Sequence, residues 1–405
     1  MMVPKLRFKS FHSQWFNSLL GDIGTFKNGL NKDKSEFGYG VPFVNLTDVF
    51  GKLEIKDNKN LPLVNANKKE VKDYSLLNGD VLFIRSSVKP TGVGETSVVT
   101  EDLENTVFSG FLIRYRNKSL LTSYKKHYFW HPGFRTRLLS LSTTSANTNI
   151  NQDSLSSLGI NFPCKEEQKK IADFLSSVDD KIALLDKQYK QLCQYKKGMM
   201  QKIFSQKMRF KNNNGGEFPE WETCKLKKLL IPTLREVKKP SENFLSIGIR
   251  SHFKGTFHKD NQDPNKISVD KLFLVHEGDF ILNITFAWEG ALAIARKEDN
   301  LGYVSHRFPT YTFNKEFIIS EFFRYIYTLP KFLTYLDLCS PGGAGRNRVL
   351  KKSEFLEIEI DRPCLAEQTK IANFFSALDD KIVVKKAELD TFRTWKQGLL
   401  QQMFV

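Results

Sequence analysis

Two stretches of this chain, 200 residues apart, carry nearly the same sequence. Residues 163–182 read PCKEEQKKIADFLSSVDDKI and residues 363–382 read PCLAEQTKIANFFSALDDKI, aligned without a gap. The match runs on, with Lys196, Gly198, Gln201 and Phe204 recurring as Lys396, Gly398, Gln401 and Phe404. A shorter echo lies upstream: KLRFK at 5–9 returns as KMRFK at 207–211, each followed by a tryptophan, Trp15 and Trp221. Internal repetition constrains a fold before any local signal does, because both copies must solve the same packing problem. The chain is two copies of one plan: a divergent region followed by a near-constant helical segment. The expected divisions are 1–162 and 212–361 for the divergent domains, and 163–211 and 362–405 for the repeated helices. The Asn/Gly-rich stretch NNNGGEFPE at 212–220 reads as a linker.

The repeated segments read as long helices. Apolar residues return every seven positions, and Pro163 and Pro363 stand just before each helix, where proline is tolerated. The expected core positions are Ile171, Phe174, Val178, Ile182, Leu185, Leu192 and Met199 in the first helix. In the second they are Ile371, Phe374, Leu378, Ile382, Leu389, Phe392 and Leu399, with Lys385 interrupting one row. A heptad pattern of this length predicts coiled-coil packing. Helices that packed only on their own domains would not explain why both copies keep one sequence; helices that pack on each other would. About 40 residues at 1.5 Å rise make a rod of roughly 60 Å, able to hold two globular units at a fixed separation.

The divergent regions carry short strand-like runs: GDVLFI at 79–84, FLIRY at 111–115, GDFILNI at 278–284 and ALAIA at 291–295. A helical stretch is expected over 317–338. Gly79-Asp80 and Gly278-Asp279 occupy matching places, so the two domains are expected to share a fold while their loops diverge. The predicted class is α+β: two mixed, strand-rich domains separated and bridged by two long helices in an antiparallel coiled coil, with pseudo-two-fold repetition.

Lysine and arginine number 61 against 45 acidic residues, a formal charge of +16, which favours a polyanionic partner. No apolar run approaches the roughly 20 residues that span a bilayer, and the N-terminus has no signal-like apolar stretch, so no membrane role is expected. The five cysteines lack CxxC spacing and read as reduced thiols in a cytoplasmic protein. Catalytic signatures are missing: no phosphate loop, no nucleophile elbow, no zinc helix and no Asn/Asp-Pro-Pro-aromatic motif. GGAG at 342–345 lacks the spacing and context of a nucleotide loop. His127 and His131, four apart in KHYFWHP, could face one way on a helix, but their aromatic context ending at Pro132 fits packing or surface better than a metal site. Neither a cofactor nor a metal is therefore expected on this chain, and the protein reads as a non-enzyme.

Residues suited to nucleic acid cluster in matched loops. Lys and Arg neutralise phosphates, Arg reads guanine edges and Asn adenine edges. In the first half the candidates are Arg85, Ser86, Ser87 and Lys89, then Thr144, Asn147 and Asn149 in the polar loop 143–152. In the second half they are Asn283, His306 and Arg307, then Arg346, Asn347, Arg348 and Lys351 in the loop 340–352.

The layout resembles the specificity subunits of Type I restriction–modification systems. The carrying residues are Pro163-Cys164, Glu167-Gln168, Lys170-Ile171-Ala172, Phe174 and Asp179-Asp180-Lys181-Ile182. Their echoes are Pro363-Cys364, Glu367-Gln368, Lys370-Ile371-Ala372, Phe374 and Asp379-Asp380-Lys381-Ile382. Cysteine stands in the proline-rich lead of both copies, and the helix start is intact. The resemblance implies two target recognition domains, each reading one half of a split, asymmetric site in double-stranded DNA, with the helices setting the spacer. It also implies two adenine-methyltransferase subunits docked on the helical frame, and restriction subunits beyond them. S-adenosylmethionine, ATP and Mg would then belong to those partners. A free-standing bivalent DNA-binding protein, a coiled-coil scaffold without a DNA role and an autonomous methyltransferase stand as alternatives.

Overall fold

In the computed structural model, which describes residues 3–144, 147–342 and 348–405, Lys165–Phe204 and Leu365–Gln402 are each one unbroken helix. Glutamates fill the first turn of each, Glu166 and Glu167 in one and Glu367 in the other, where the helix dipole favours them. The chain forms two compact units, Met1–Lys190 with Val384–Val405, and Gln191–Val383. Each unit holds one divergent domain and part of both long helices. The stretch 212–220 therefore lies inside the second unit, where Lys211 and Glu217 form an antiparallel bridge.

Within the first unit the start of the first long helix runs antiparallel to the end of the second. Asp179 pairs with Lys396 at 2.5 Å, and Phe174 meets Trp395 edge-on with centroids 6.1 Å apart. Within the second unit the roles are exchanged: Lys196 pairs with Asp379, whose carboxylate also accepts from the Tyr325 hydroxyl. The two long helices are thus packed together, and Lys196/Lys396 and Asp179/Asp379 are retained because each lysine serves the other helix's aspartate. Ile171, Val178, Leu185, Met199, Ile371, Leu378, Leu389 and Leu399 are buried. Phe174, Ile182, Leu192, Phe374, Ile382 and Phe392 are half-buried.

The Glu-Gln pair at each helix start locks helix to domain. Glu167 is fully buried and accepts from Arg7 Nε at 2.8 Å and Nη2 at 2.7 Å. Glu367 is held the same way by Arg209. The upstream echo is explained: KLRFK and KMRFK each supply the arginine. Gln168 accepts from Leu121 N and donates to Ser119 O and Pro163 O. Gln368 does the same with Ile319, Phe317 and Pro363.

Each domain is built on an equivalent sheet. In the first the strand order is Gly24–Asn28, Leu112–Asn117, Val81–Ile84, Thr96–Val99, Glu54–Ile55. In the second it is Leu230–Pro232, Thr310–Phe313, Phe280–Leu282, Leu292–Ile294. The Gly-Asp pairs set the central strands. Gly79 and Gly278 adopt φ of +90° and +86°, which glycine enters without a Cβ penalty. The buried Asp80 carboxylate accepts from Leu77 N and forms a two-bond pair with Arg116. Asp279 accepts from His276 N and pairs likewise with Arg235.

Three sequence expectations change. The helix expected over 317–338 is two helices, Ser320–Ile326 and Pro330–Leu338, because Pro330 cannot continue the first and instead starts the second. The first domain has the same break, Thr122–Tyr128 then Pro132–Ser140. That break separates His127, near the end of one helix, from His131, the N-cap of the next, so the two do not share a helix face. The run FLIRY is a strand only from Leu112 onward; Phe111 lies outside it.

Candidate nucleic-acid interface

In the first domain the chain leaves the buried strand Val81–Ile84 at Arg85 and enters a small three-stranded patch. Ser86–Ser87 pair with Thr148–Asn149, and Thr148–Asn149 pair with Thr143–Thr144. The two polar loops singled out in the sequence, remote in the chain, are therefore one surface. Arg85 is clamped by its backbone: its N–H donates to Phe111 O at 2.8 Å and its carbonyl accepts from Ile150 N at 2.9 Å. A recess of about 230 Å³ lies here, lined by Arg85, Thr143, Asn149, Asn151 and Ser154 among others. Asn147 is exposed and its carbonyl accepts from Asn149 Nδ2 at 2.9 Å. Lys89 is exposed, its backbone N–H donating to Ser87 Oγ.

The second domain repeats the clamp. Ile284 N donates to Arg307 O at 3.0 Å, and Ile284 O accepts from Leu350 N at 2.8 Å. This brings Asn283, His306, Arg307 and the end of the loop 340–352 to one strand end. Asn283 is half-buried and its Oδ1 accepts from Thr285 N. His306 and Arg307 are exposed. Arg348 is engaged internally: it donates to Ser340 O and Asp337 O, pairs with the Asp337 carboxylate at 2.7 Å and lies over the Trp288 ring. Lys351 is exposed and pairs with Glu354. Arg346 and Asn347 lie outside the described residues, as does the side chain of Thr144.

A pair of turns that sequence comparison does not detect completes the correspondence. Ser109 O accepts from Leu112 N at 2.9 Å while Ser109 Oγ accepts from Phe111 N at 3.3 Å. Ser305 O accepts from Phe308 N at 2.9 Å while Ser305 Oγ accepts from Arg307 N at 3.4 Å. Both turns follow short strands, Val107–Phe108 and Tyr303–Val304, that pair in parallel with a neighbour. Phe111 and Arg307 thus hold one framework position. Gly110 and His306 hold another. A Cβ at 110 would meet Asn31 Oδ1 at 1.8 Å, which accounts for the glycine.

The electrostatics of the two surfaces suit an anion. Among the described residues no carboxylate lies within ion-pair reach of Arg85, Lys89 or Arg307, so their charge is available to phosphate or a base edge. No three His, Cys, Asp or Glu side chains among the described residues are placed to hold a metal. The five cysteines are free thiols. His127 and His131 are buried, and burial pushes both imidazoles down to about 3, with Lys396 and Lys126 adding to the effect on His127 and Arg137 on His131. No helix among the described residues is long and apolar enough to cross a membrane.

The profile of the Type I restriction modification DNA specificity domain matches residues 12–194 and again 220–391. The chain belongs to this family. It is a DNA specificity subunit, the non-catalytic component of a Type I restriction–modification complex. It is 26% identical over 392 residues to the provisionally named MjaX specificity subunit of a type I restriction enzyme from Methanocaldococcus jannaschii, spanning 93% of this chain and 89% of that one. It is 32% identical over 187 residues to the HindI specificity subunit of Haemophilus influenzae, across 42% of this chain and 37% of the relative. The fold is that of the S subunit of a Type I restriction–modification system from M. genitalium, with a TM-score of 0.56 at 14% identity over 100% of this chain and 99% of the other. The twofold match of the family profile and the twofold strand-end clamp describe one repetition at two levels.

Proposed function

We propose that this specificity subunit reads a split, asymmetric site in double-stranded DNA, one half per domain, through the clamped strand ends. The observation that carries the reading is the strand-end frame itself. Arg85 with Phe111 and Ile150, and Ile284 with Arg307 and Leu350, use the same pair of backbone hydrogen bonds to present different side chains. A shared frame with exchanged side chains is what two readers of different sequences require. In the first domain Arg85, Ser86, Ser87, Lys89, Thr144, Asn147 and Asn149 face the DNA. In the second, Asn283, His306, Arg307, Arg346, Asn347, Arg348 and Lys351 do so, with Arg348 exchanging its Asp337 contact for a phosphate or base. Two modest readers on one frame gain effective concentration from their linkage, so neither needs high affinity alone.

The long helices act as a ruler for the spacer between half-sites and as the dock for two adenine-methyltransferase subunits, with restriction subunits joining them in the cytoplasm. S-adenosylmethionine, ATP and Mg reside on those partners, and the adenine is flipped out of the duplex for methylation. Exchanging residues 1–160 for the matching region of a relative is expected to change one half of the methylated motif and leave the other half intact, as read by sequencing methylated bases. A change in both halves would remove the one-domain, one-half-site assignment.

A further inference from the structure

The two serine turns carry an inference that rests on the reading above and adds Phe111, which was not among the sequence candidates, as the counterpart of Arg307. We infer that the third residue of each turn, Phe111 in one domain and Arg307 in the other, is a specificity-determining position, with Phe111 reading a thymine methyl and Arg307 a guanine edge. Three observations support it. The turns have the same hydrogen bonds, serine hydroxyl and serine carbonyl both accepting, so the third residue leaves the backbone at the same point in each. Each third residue gives its carbonyl to the clamped strand end, Phe111 to Arg85 and Arg307 to Ile284, which fixes it beside the other candidates. Both side chains are exposed, and in the case of Phe111 the exposure is 60%.

An aromatic ring left 60% exposed at the tip of a tight turn contributes little to the core of its own domain. Its neighbour across the clamp, the 86–89 segment, also presents an apolar side chain: Val88 is 82% exposed. The thymine C5-methyl is the one apolar group on the floor of the major groove, and phenylalanine is among the side chains that contact it. Arginine is the side chain that pairs with guanine O6 and N7. The same framework position therefore displays the apolar reader in one domain and the guanine reader in the other. Gly110 permits the turn to close on Asn31, whereas His306 at the matching place stands exposed beside Arg307.

The test uses the whole complex in cells. Methylated bases are sequenced with wild-type subunit, Phe111→Ala, Phe111→Arg and Arg307→Ala. Because Phe111 is exposed, its replacement spares the core, and the unchanged second half-site reports an intact subunit. Phe111→Ala is expected to relax one A·T position of a single half-site, with methylation at the mismatched sites rising about ten-fold, the scale of one lost base contact. Phe111→Arg is expected to move that position toward G·C. Arg307→Ala is expected to relax one G·C position in the other half-site. On the purified complex, replacing the thymine at the relaxed position by uracil removes only the methyl. It is expected to weaken wild-type binding several-fold and leave Phe111→Ala binding unaltered. A split motif that Phe111→Ala leaves unchanged at every position, while Arg85→Ala alters it, overturns the inference alone. The absence of any split motif with the wild-type subunit would defeat the underlying reading, and the inference with it.

Discussion

His127 and His131 show what the first domain asks of individual residues. Both are buried, His131 stacked on Phe404 with centroids 5.2 Å apart and accepting from Phe134 N, His127 beside Ser176 and Asp179. Burial holds each imidazole neutral, at about 3 rather than 6.5. On unfolding each recovers its ordinary affinity for a proton, so between those values the unfolded state binds more protons than the folded one. The stability they permit is complete above pH 6.5 and is lost as pH falls toward 3. At pH 5 the loss is about 2 kcal/mol for each histidine. Urea unfolding of the subunit at pH 7.5 and pH 5 is expected to show a lower midpoint in acid, and His127→Gln to flatten that dependence. An equal acid shift in wild type and variant would mean that His127 is not the source. The four-residue spacing of these histidines allowed a shared helix face, and the structure divides them between two helices, because the Pro132 break is a boundary signal that competes with that spacing. Phe111 was illegible for the opposite reason. It sits at the head of an apolar run, and only the Ser109 turn removes it from the strand.

The elements divide into those written twice and those written once. The long helices were legible because one sequence kept at two places removes ambiguity: Glu167, Gln168, Asp179 and Lys196 each recur 200 residues on and make the equivalent contact there. The strand-end clamp is as regular in space but not in sequence. Ile150 and Leu350 keep the 200-residue offset, whereas Arg85 and Ile284 differ by 199 and Ser109 and Ser305 by 196. Loop insertions and deletions between the strands break the alignment while the hydrogen bonds persist. The ruler proposal belongs to this scale. A heptad keeps the apolar seam in phase and adds about 10 Å of helix, close to three base pairs of duplex. Inserting one heptad into each long helix is expected to lengthen the preferred spacer by about that amount with both half-site sequences unchanged. An unchanged spacer would mean that the helices do not set it.

At the scale of the whole molecule, two units each combine a divergent, strand-rich domain with stretches of both long helices. In each unit the arginine of the upstream echo grips the buried glutamate that starts a long helix, so domain and helix are positioned together. This arrangement ties what varies, the loops at the strand ends, to what does not, the helical frame. It lets one chain present two different sets of strand-end loops on a repeated helical frame. The central claim is that these two surfaces choose the DNA sequence on which a larger complex acts. It is tested most directly by sequencing methylated bases in host DNA with this chain present and deleted, the partner genes intact. The account predicts a split motif with methyladenine in both halves, present with the chain and lost without it. Methylation that is the same in both strains would contradict it.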